Sequence, residues 1–259
     1  MSRRPIRRSG EVVDRAERVA VVTGGGRGIG AAISRRLAAE GHAVAVNYAS
    51  GAAAAQEVAG EIVAAGGRAV AIRADVSDAA QAEKLIAEAA RVLGPPTVLV
   101  NNAGMNLAAS ARKQSPHEWD RVIGVNLSGA FYCAHAALPA MYDAGWGRVV
   151  FLSSPSGGRR PSPGMSAYSA AKAGLVGMTR SLAQEVARRG ITVNAVMPGF
   201  VETDIIASGG ENAAANLAAH WPRIPAESIA ATISFLVGED GRHVSGEEVG
   251  VWLGGPVGV

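Results

Sequence analysis

A tyrosine and a lysine stand four residues apart in Ala167-Tyr168-Ser169-Ala170-Ala171-Lys172, where a helical pattern begins. Residues at i and i+4 of a helix share a face, so this spacing sets an ammonium beside a phenol. A phenol ordinarily gives up its proton near pKa ~10. A neighbouring positive charge favours the phenolate, so Lys172 is expected to lower the pKa of Tyr168. A phenol tuned in this way passes a proton to or from a substrate oxygen near neutral pH. A helix with one core aromatic and one solvated lysine would carry the same two letters. The pair therefore takes its meaning from the rest of the chain.

The start of the chain offers a partner chemistry. Val19-Ala20-Val21-Val22-Thr23 reads as an apolar strand that enters Gly24-Gly25-Gly26-Arg27-Gly28-Ile29-Gly30. A helical pattern follows, with Ile29, Ile33 and Leu37 on one face. Glycines permit positive φ and a close backbone approach, and the helix start offers unpaired N–H groups to a pyrophosphate. A turn of this kind, after the first strand of an alternating pattern, predicts a dinucleotide site. In NAD sites an acid ~20 residues past the glycines accepts hydrogen bonds from the adenosine ribose. Here that place holds Tyr48, preceded by Asn47, and the first acid beyond is Glu57. Arg27 and Ser50 are candidate partners for a 2′-phosphate, which favours NADP(H) over NAD(H). Asp75 and Asn101-Asn102-Ala103-Gly104 are further polar strand ends. Each can cap a turn, and each lies on the edge where adenine and backbone positioning are expected.

The elements that must hold these groups alternate along the chain. Further strands are expected at Ala43–Asn47, Ala69–Ile72, Thr97–Val100, Arg148–Leu152, Ile191–Val196 and Val249–Leu253. Helices separate them, among them one from Asp78 to Leu93 with Asp78 as N-cap, and long ones over 116–142 and 166–190. Seven strands alternating with six helices imply an α/β fold, one doubly wound (Rossmann) parallel sheet covered on both faces. Such sheets bind ligands beyond the carboxyl ends of their strands, where each motif above falls.

Composition narrows the rest. Of 259 residues, 48% are apolar and only 5% aromatic, so the core is aliphatic, as buried parallel strands require. Residues 1–18 hold six arginines against Glu11, Asp14 and Glu17, which accounts for the whole net charge of +3. The remaining body is neutral and has no electrostatic footprint for nucleic acid. Residues 1–17 read as a disordered Arg-rich extension, with a transit peptide as the alternative, and 18–259 as the folded domain. The single cysteine, Cys133, fits a reducing, cytoplasmic setting and reads as a small buried side chain. The five histidines have no paired spacing for a metal, and no apolar stretch reads as a membrane span.

Taken together, the ordered motifs resemble the short-chain dehydrogenase/reductase family over residues 18–255. They are Thr23-Gly24 through Gly30, Asp75-Val76, Asn101 to Gly104, Asn126 in Val125-Asn126-Leu127, Ser153-Ser154, Tyr168-x-x-x-Lys172 and Pro198-Gly199-x-x-x-Thr203. Within the family the chain is most similar to 3-oxoacyl-carrier-protein reductases, especially over Gly190 to Asp204. The resemblance implies an NADP(H)-dependent oxidoreductase interconverting a carbonyl and a secondary alcohol. Tyr168 would be its general acid/base. Lys172 would lower the Tyr168 pKa and hold the nicotinamide ribose. Ser154 would bond the substrate oxygen, and Asn126 would support Lys172 through a water. Gly24, Gly28, Ile29, Gly30, Val76, Asn102, Ala103, Gly104, Pro198, Gly199, Val201 and Thr203 would line the cofactor. The resemblance also implies a homo-oligomer, a dimer or tetramer built on the two long helices.

Three departures from the family pattern stand out. The stretch between Ser154 and Tyr168 holds one extra residue, in Pro155-Ser156-Gly157-Gly158-Arg159-Arg160-Pro161. Segment 204–224 is shorter than the substrate lid of the carrier-protein reductases. Asp143-Ala144-Gly145 stands where those reductases often carry cations for an acidic carrier. The substrate is therefore a 3-oxoacyl compound or another small ketone, sugar or cyclic alcohol. A non-catalytic NADP-binding sensor would follow if the extra residue moved Ser154 out of reach of Tyr168.

Overall fold

The computed structural model describes residues 18–202 and 219–255. Seven strands form one sheet: β1 Val19–Val22, β2 Ala43–Tyr48, β3 Ala69–Arg73, β4 Pro96–Asn101, β5 Gly147–Leu152, β6 Ile191–Pro198 and β7 Glu248–Val251. Their order is β3-β2-β1-β4-β5-β6-β7, and every pairing is parallel. This is the doubly wound sheet expected from the alternation. The winding direction reverses between β1 and β4, and a crevice opens there at the strand carboxyl ends.

Side chains along each strand alternate between two cores. Ala20 and Val22 face the layer built from α1 (Gly28–Ala39), α2 (Ala52–Ala64) and α7 (Ala226–Val237). Val21 faces the layer of α3 (Ala79–Leu93), α5 (Gly129–Ala144) and α6 (Ser166–Val186). Asp78 caps α3 as expected, its carboxylate accepting from the N–H groups of Ala80 and Gln81 at 2.9 and 3.1 Å. Cys133 is fully buried, and burial pushes its thiol up to about 12, so it serves as packing.

Three readings of the chain need correction. The long helix over 116–142 is two α-helical pieces, α4 (Pro116–Ile123) and α5, joined by a π-helical turn at Gly124–Ser128. That whole stretch, Pro116–Ala144, is by length and composition apolar enough to cross a membrane, contrary to the sequence reading. It packs instead against α3, β4 and α6. The last strand ends at Val251, because Trp252 and Leu253 turn away and Leu253 takes φ +50°. The Arg-rich residues 1–17 and Thr203 lie outside the described residues, as does most of segment 204–224.

Candidate active site

The glycine turn is held by hydrogen bonds that cross the β1–β4 crevice. Thr23 Oγ1 accepts from the N–H groups of Asn102 and Ala103, both at 3.0 Å. In return Asn102 Nδ2 donates to the carbonyls of Thr23 and Gly24 at 2.9 and 3.0 Å. On the other side Asn47 Oδ1 accepts from Gly24 N–H at 3.2 Å, while its Nδ2 donates to Ala74 O at 3.0 Å. Gly24 needs its φ of +61° here, and Gly30 presses on it. A Cβ at Gly30 would run into the Gly24 carbonyl oxygen and lie 2.6 Å from Asn102 Nδ2.

α1 therefore starts at a rigid turn, and its N-cap, Arg27, makes no side-chain bond to the first-turn N–H groups. Unpaired donors at the positive end of a helix dipole fit a pyrophosphate. Arg27 and Ser50 are exposed and Tyr48 is half-buried at the end of β2, with no acid between Asn47 and Ser50. Those surroundings suit a 2′-phosphate better than a bare ribose. Asp75 is exposed after β3, and one carboxylate oxygen accepts from Ser77 N and Oγ at 3.0 and 2.7 Å. Val76 is buried behind it. At the far side of the crevice Gly199 N–H donates to Val251 O at 2.9 Å, next to half-buried Pro198 and buried Val201. Ile29 is partly buried in the first turn of α1.

Tyr168 and Lys172 lie in the first two turns of α6, with Lys172 Nζ 5.4 Å from the centre of the phenol ring. Lys172 is buried, and its ammonium donates to Leu152 O at the end of β5 at 2.7 Å. Gly104 sits beneath it: a Cβ there would lie 2.9 Å from Asn126 Oδ1 and 3.6 Å from Lys172 Nζ. Asn126 is buried within the π-helical turn, and its Nδ2 donates to Met105 O at 2.7 Å and Val122 O at 2.8 Å. The turn thus locks the 102–105 backbone to α4. Single π turns inside α-helices recur at functional sites, and this one has no local sequence signal.

Ser154 lies close enough to Tyr168 for its hydroxyl to favour the phenolate. The loop after Ser154 opens with a 3-10 turn at Pro155–Gly157 that packs Gly157 against the Lys172–Ala173 backbone. Ser153, the alternative, is buried and turned the other way, its hydroxyl donating to Glu248 Oε1 at 2.9 Å and Val196 O at 3.2 Å.

The expected lowering of the Tyr168 pKa does not hold. Burial pushes the phenol up and the neighbouring Ser154 hydroxyl pulls it down by less. Burial also brings the Lys172 amine down to about 8. Charge is costly for both groups where water is excluded. The ammonium spends its short hydrogen bond on Leu152 O rather than on the phenol.

A cavity of about 330 Å³ adjoins Ser154 on the β7 side, between Gly158, Arg159, Gly177, Arg180 and Glu248. Two residues that hold this region, Asn47 and Glu248, were missed from the sequence. Asn47 had a signal, as an amide closing an otherwise apolar strand. Glu248 had none, because its partners are far along the chain.

A doubly wound sheet whose switch-point crevice joins a glycine turn to a Ser–Tyr–Lys group defines a class of dinucleotide-dependent oxidoreductases. The family model for short chain dehydrogenase matches residues 18–214, and the chain belongs to that family. Among relatives, the 3-oxoacyl-(acyl-carrier-protein) reductase FabG of Staphylococcus aureus is 40% identical over 90% of this chain and 95% of its own. The acetoacetyl-CoA reductase of Rhizobium meliloti is also 40% identical over 90% of this chain and 95% of its own. A blue fluorescent protein from a metagenomic library, solved in complex with NADPH, superposes with a TM-score of 0.84. It is 40% identical and matches over 90% of this chain and 96% of that one. The chain is accordingly an NAD(P)-dependent dehydrogenase or reductase.

Proposed function

We propose that this protein interconverts a carbonyl and a secondary alcohol with NADP(H), using Tyr168 as the general acid/base. The observation that carries the reading is the meeting of Tyr168, Ser154 and a buried Lys172 at the end of β5, with Lys172 Nζ 5.4 Å from the phenol ring and next to Gly104. The nicotinamide supplies or takes the hydride when bound. Tyr168 gives the proton to the carbonyl oxygen, or receives it from the alcohol. Ser154 donates to that same oxygen and stabilises the charge developing on it. Lys172 holds the nicotinamide ribose and replenishes the proton, while Asn126 keeps its surroundings in place. Arg27, Ser50 and the missing acid after β2 support NADP(H), as does the NADPH held by the fluorescent relative. The nearness of Ser154 to Tyr168 also argues against a sensor without turnover.

A 3-oxoacyl thioester is the substrate class favoured by the relatives' names. The acid at Asp143, where carrier-protein reductases often present cations, favours a coenzyme A thioester or another small ketone over a carrier-bound one. The body built on α4–α5 and α6 is read as a homo-oligomer, supported by Trp119 and Phe131 standing 39% and 52% exposed on that element.

Nicotinamide absorbance tests this directly, with both cofactors and a panel of acetoacetyl-CoA, carrier-bound 3-oxoacyl thioesters and simple ketones. Turnover is expected with NADPH and to be weaker with NADH. Tyr168→Phe should lose at least ~100-fold in kcat, with NADPH binding, followed by fluorescence, unchanged within about twofold. A variant that keeps its turnover would show that the proton comes from elsewhere.

A further inference from the structure

We infer that Glu248, on the edge strand, is a positioning residue for the site, holding Ser154 in place by gripping the loop that carries it at both ends. This rests on the proposed role of Ser154. The Glu248 carboxylate is largely buried, its side chain 13% exposed. One oxygen, Oε1, accepts from Ser153 Oγ at 2.9 Å, and the other, Oε2, faces Arg159 Nε at 3.4 Å. Ser153 immediately precedes Ser154, and Arg159 lies within the stretch that holds the extra residue. Ser153 has one hydroxyl proton to share between Glu248 Oε1 and Val196 O, and the shorter bond goes to the carboxylate. Arg159 is also 5.9 Å from the Trp252 ring, so the loop is fastened twice to β7 and the turn after it.

Between those two fastenings the loop folds onto itself. Ser156 N–H donates to Ser154 Oγ at 3.3 Å, Gly157 N–H to Ser154 O at 2.9 Å, and Arg160 N–H to Pro155 O at 2.7 Å. These bonds hold Ser154 beside Tyr168, where its hydroxyl favours the phenolate. A buried carboxylate is costly unless paired and hydrogen bonded. An apolar residue at the β7 edge would bury without that cost, but would accept from neither Ser153 nor Arg159. The charged groups on and near the loop are Arg159, Arg160, Glu248 and, across the cavity, Arg180; the charged neighbour of Tyr168 is Lys172. The nearby Ser154 hydroxyl eases ionisation of the phenol, so a displaced Ser154 leaves Tyr168 harder to deprotonate.

The test compares Glu248→Ala and Glu248→Gln in the full-length enzyme. Glutamine still accepts from Ser153. Glu248→Ala should lower kcat about tenfold or more with the KM for NADPH unchanged. Reduction requires the protonated phenol, so the falling basic limb of its pH–rate profile should move to higher pH. Glu248→Gln should restore most of the rate and the original limb. An unchanged kcat and limb in Glu248→Ala would overturn the inference. Two further readouts separate this from the function itself. A basic limb that survives in Tyr168→Phe, or a native enzyme silent with every ketone, would defeat the proposed role of Tyr168 instead. Hydrogen exchange then decides the positioning alone: faster exchange at Ser156 and Gly157 in Glu248→Ala, at an unchanged melting temperature, supports it, and unchanged exchange refutes it.

Discussion

Tyr168 and Lys172 are both pushed toward their uncharged forms by the same cause, exclusion of water at the head of α6. For a lysine this means losing its proton at lower pH than in solvent. In the ligand-free protein the Lys172 amine is expected to titrate near pH 8, where an exposed lysine titrates near ~10.4. Side-chain NMR of the labelled protein, assigned with Lys172→Arg, would follow it; a midpoint that stays near ~10.4 would mean the amine is hydrated. Below that midpoint the ammonium is present to hold ribose hydroxyls, and above it the neutral amine loses that charge-assisted hold. Affinity for the dinucleotide should therefore weaken as pH rises past 8. The i, i+4 spacing revealed which two groups are neighbours. It could not reveal that Leu152 O, 20 residues earlier, takes the ammonium.

At the scale of elements, the site depends on two joints. The first is the turn between β1 and α1, where Thr23, Asn47 and Asn102 hold the glycine backbone from both sides. A methyl at Gly30 has no room against the Gly24 carbonyl and the Asn102 amide. Gly30→Ala should destabilise the fold by about 1–3 kcal/mol, the usual cost of overpacking. Because strain there also tilts the start of α1, it should weaken NADPH binding at least about tenfold by fluorescence titration; native affinity would show that the turn tolerates the shift. The second joint is the π-helical turn at Gly124–Ser128, which aims Asn126 at the Met105 backbone. The glycine turn was legible because its residue types are those that such a turn demands. The π turn was not, because its extra residue is tolerated only where tertiary contacts satisfy the displaced backbone groups.

At the scale of the whole molecule, charge and apolar surface point to different partners. Beyond residue 18 the chain is neutral, with no net positive charge to draw nucleic acid. Its exposed aromatics, by contrast, include Trp119 and Phe131 on one helical element, with Phe131 stacked on His135 at 6.0 Å between ring centres. Apolar patches of this kind mark association surfaces. Light scattering should give a mass above that of one 26.3 kDa chain. Phe131→Glu should shift it toward the monomer; a native protein of monomer mass would remove the oligomer from the proposal.

The alternation of aliphatic strands and helices determined the doubly wound sheet, and residue type with spacing determined the glycine turn and the Tyr–Lys pair. Those are local properties, set by backbone periodicity and by which side chains a turn or helix face admits. Which serine meets the phenol, what the ammonium bonds and which acid braces the loop were decided only by the fold. Leu152 and Lys172, Ser154 and Tyr168, and Ser153 and Glu248 are each well separated in the chain, and the burial that sets their protonation and hydrogen bonding exists only once the elements that carry them have packed.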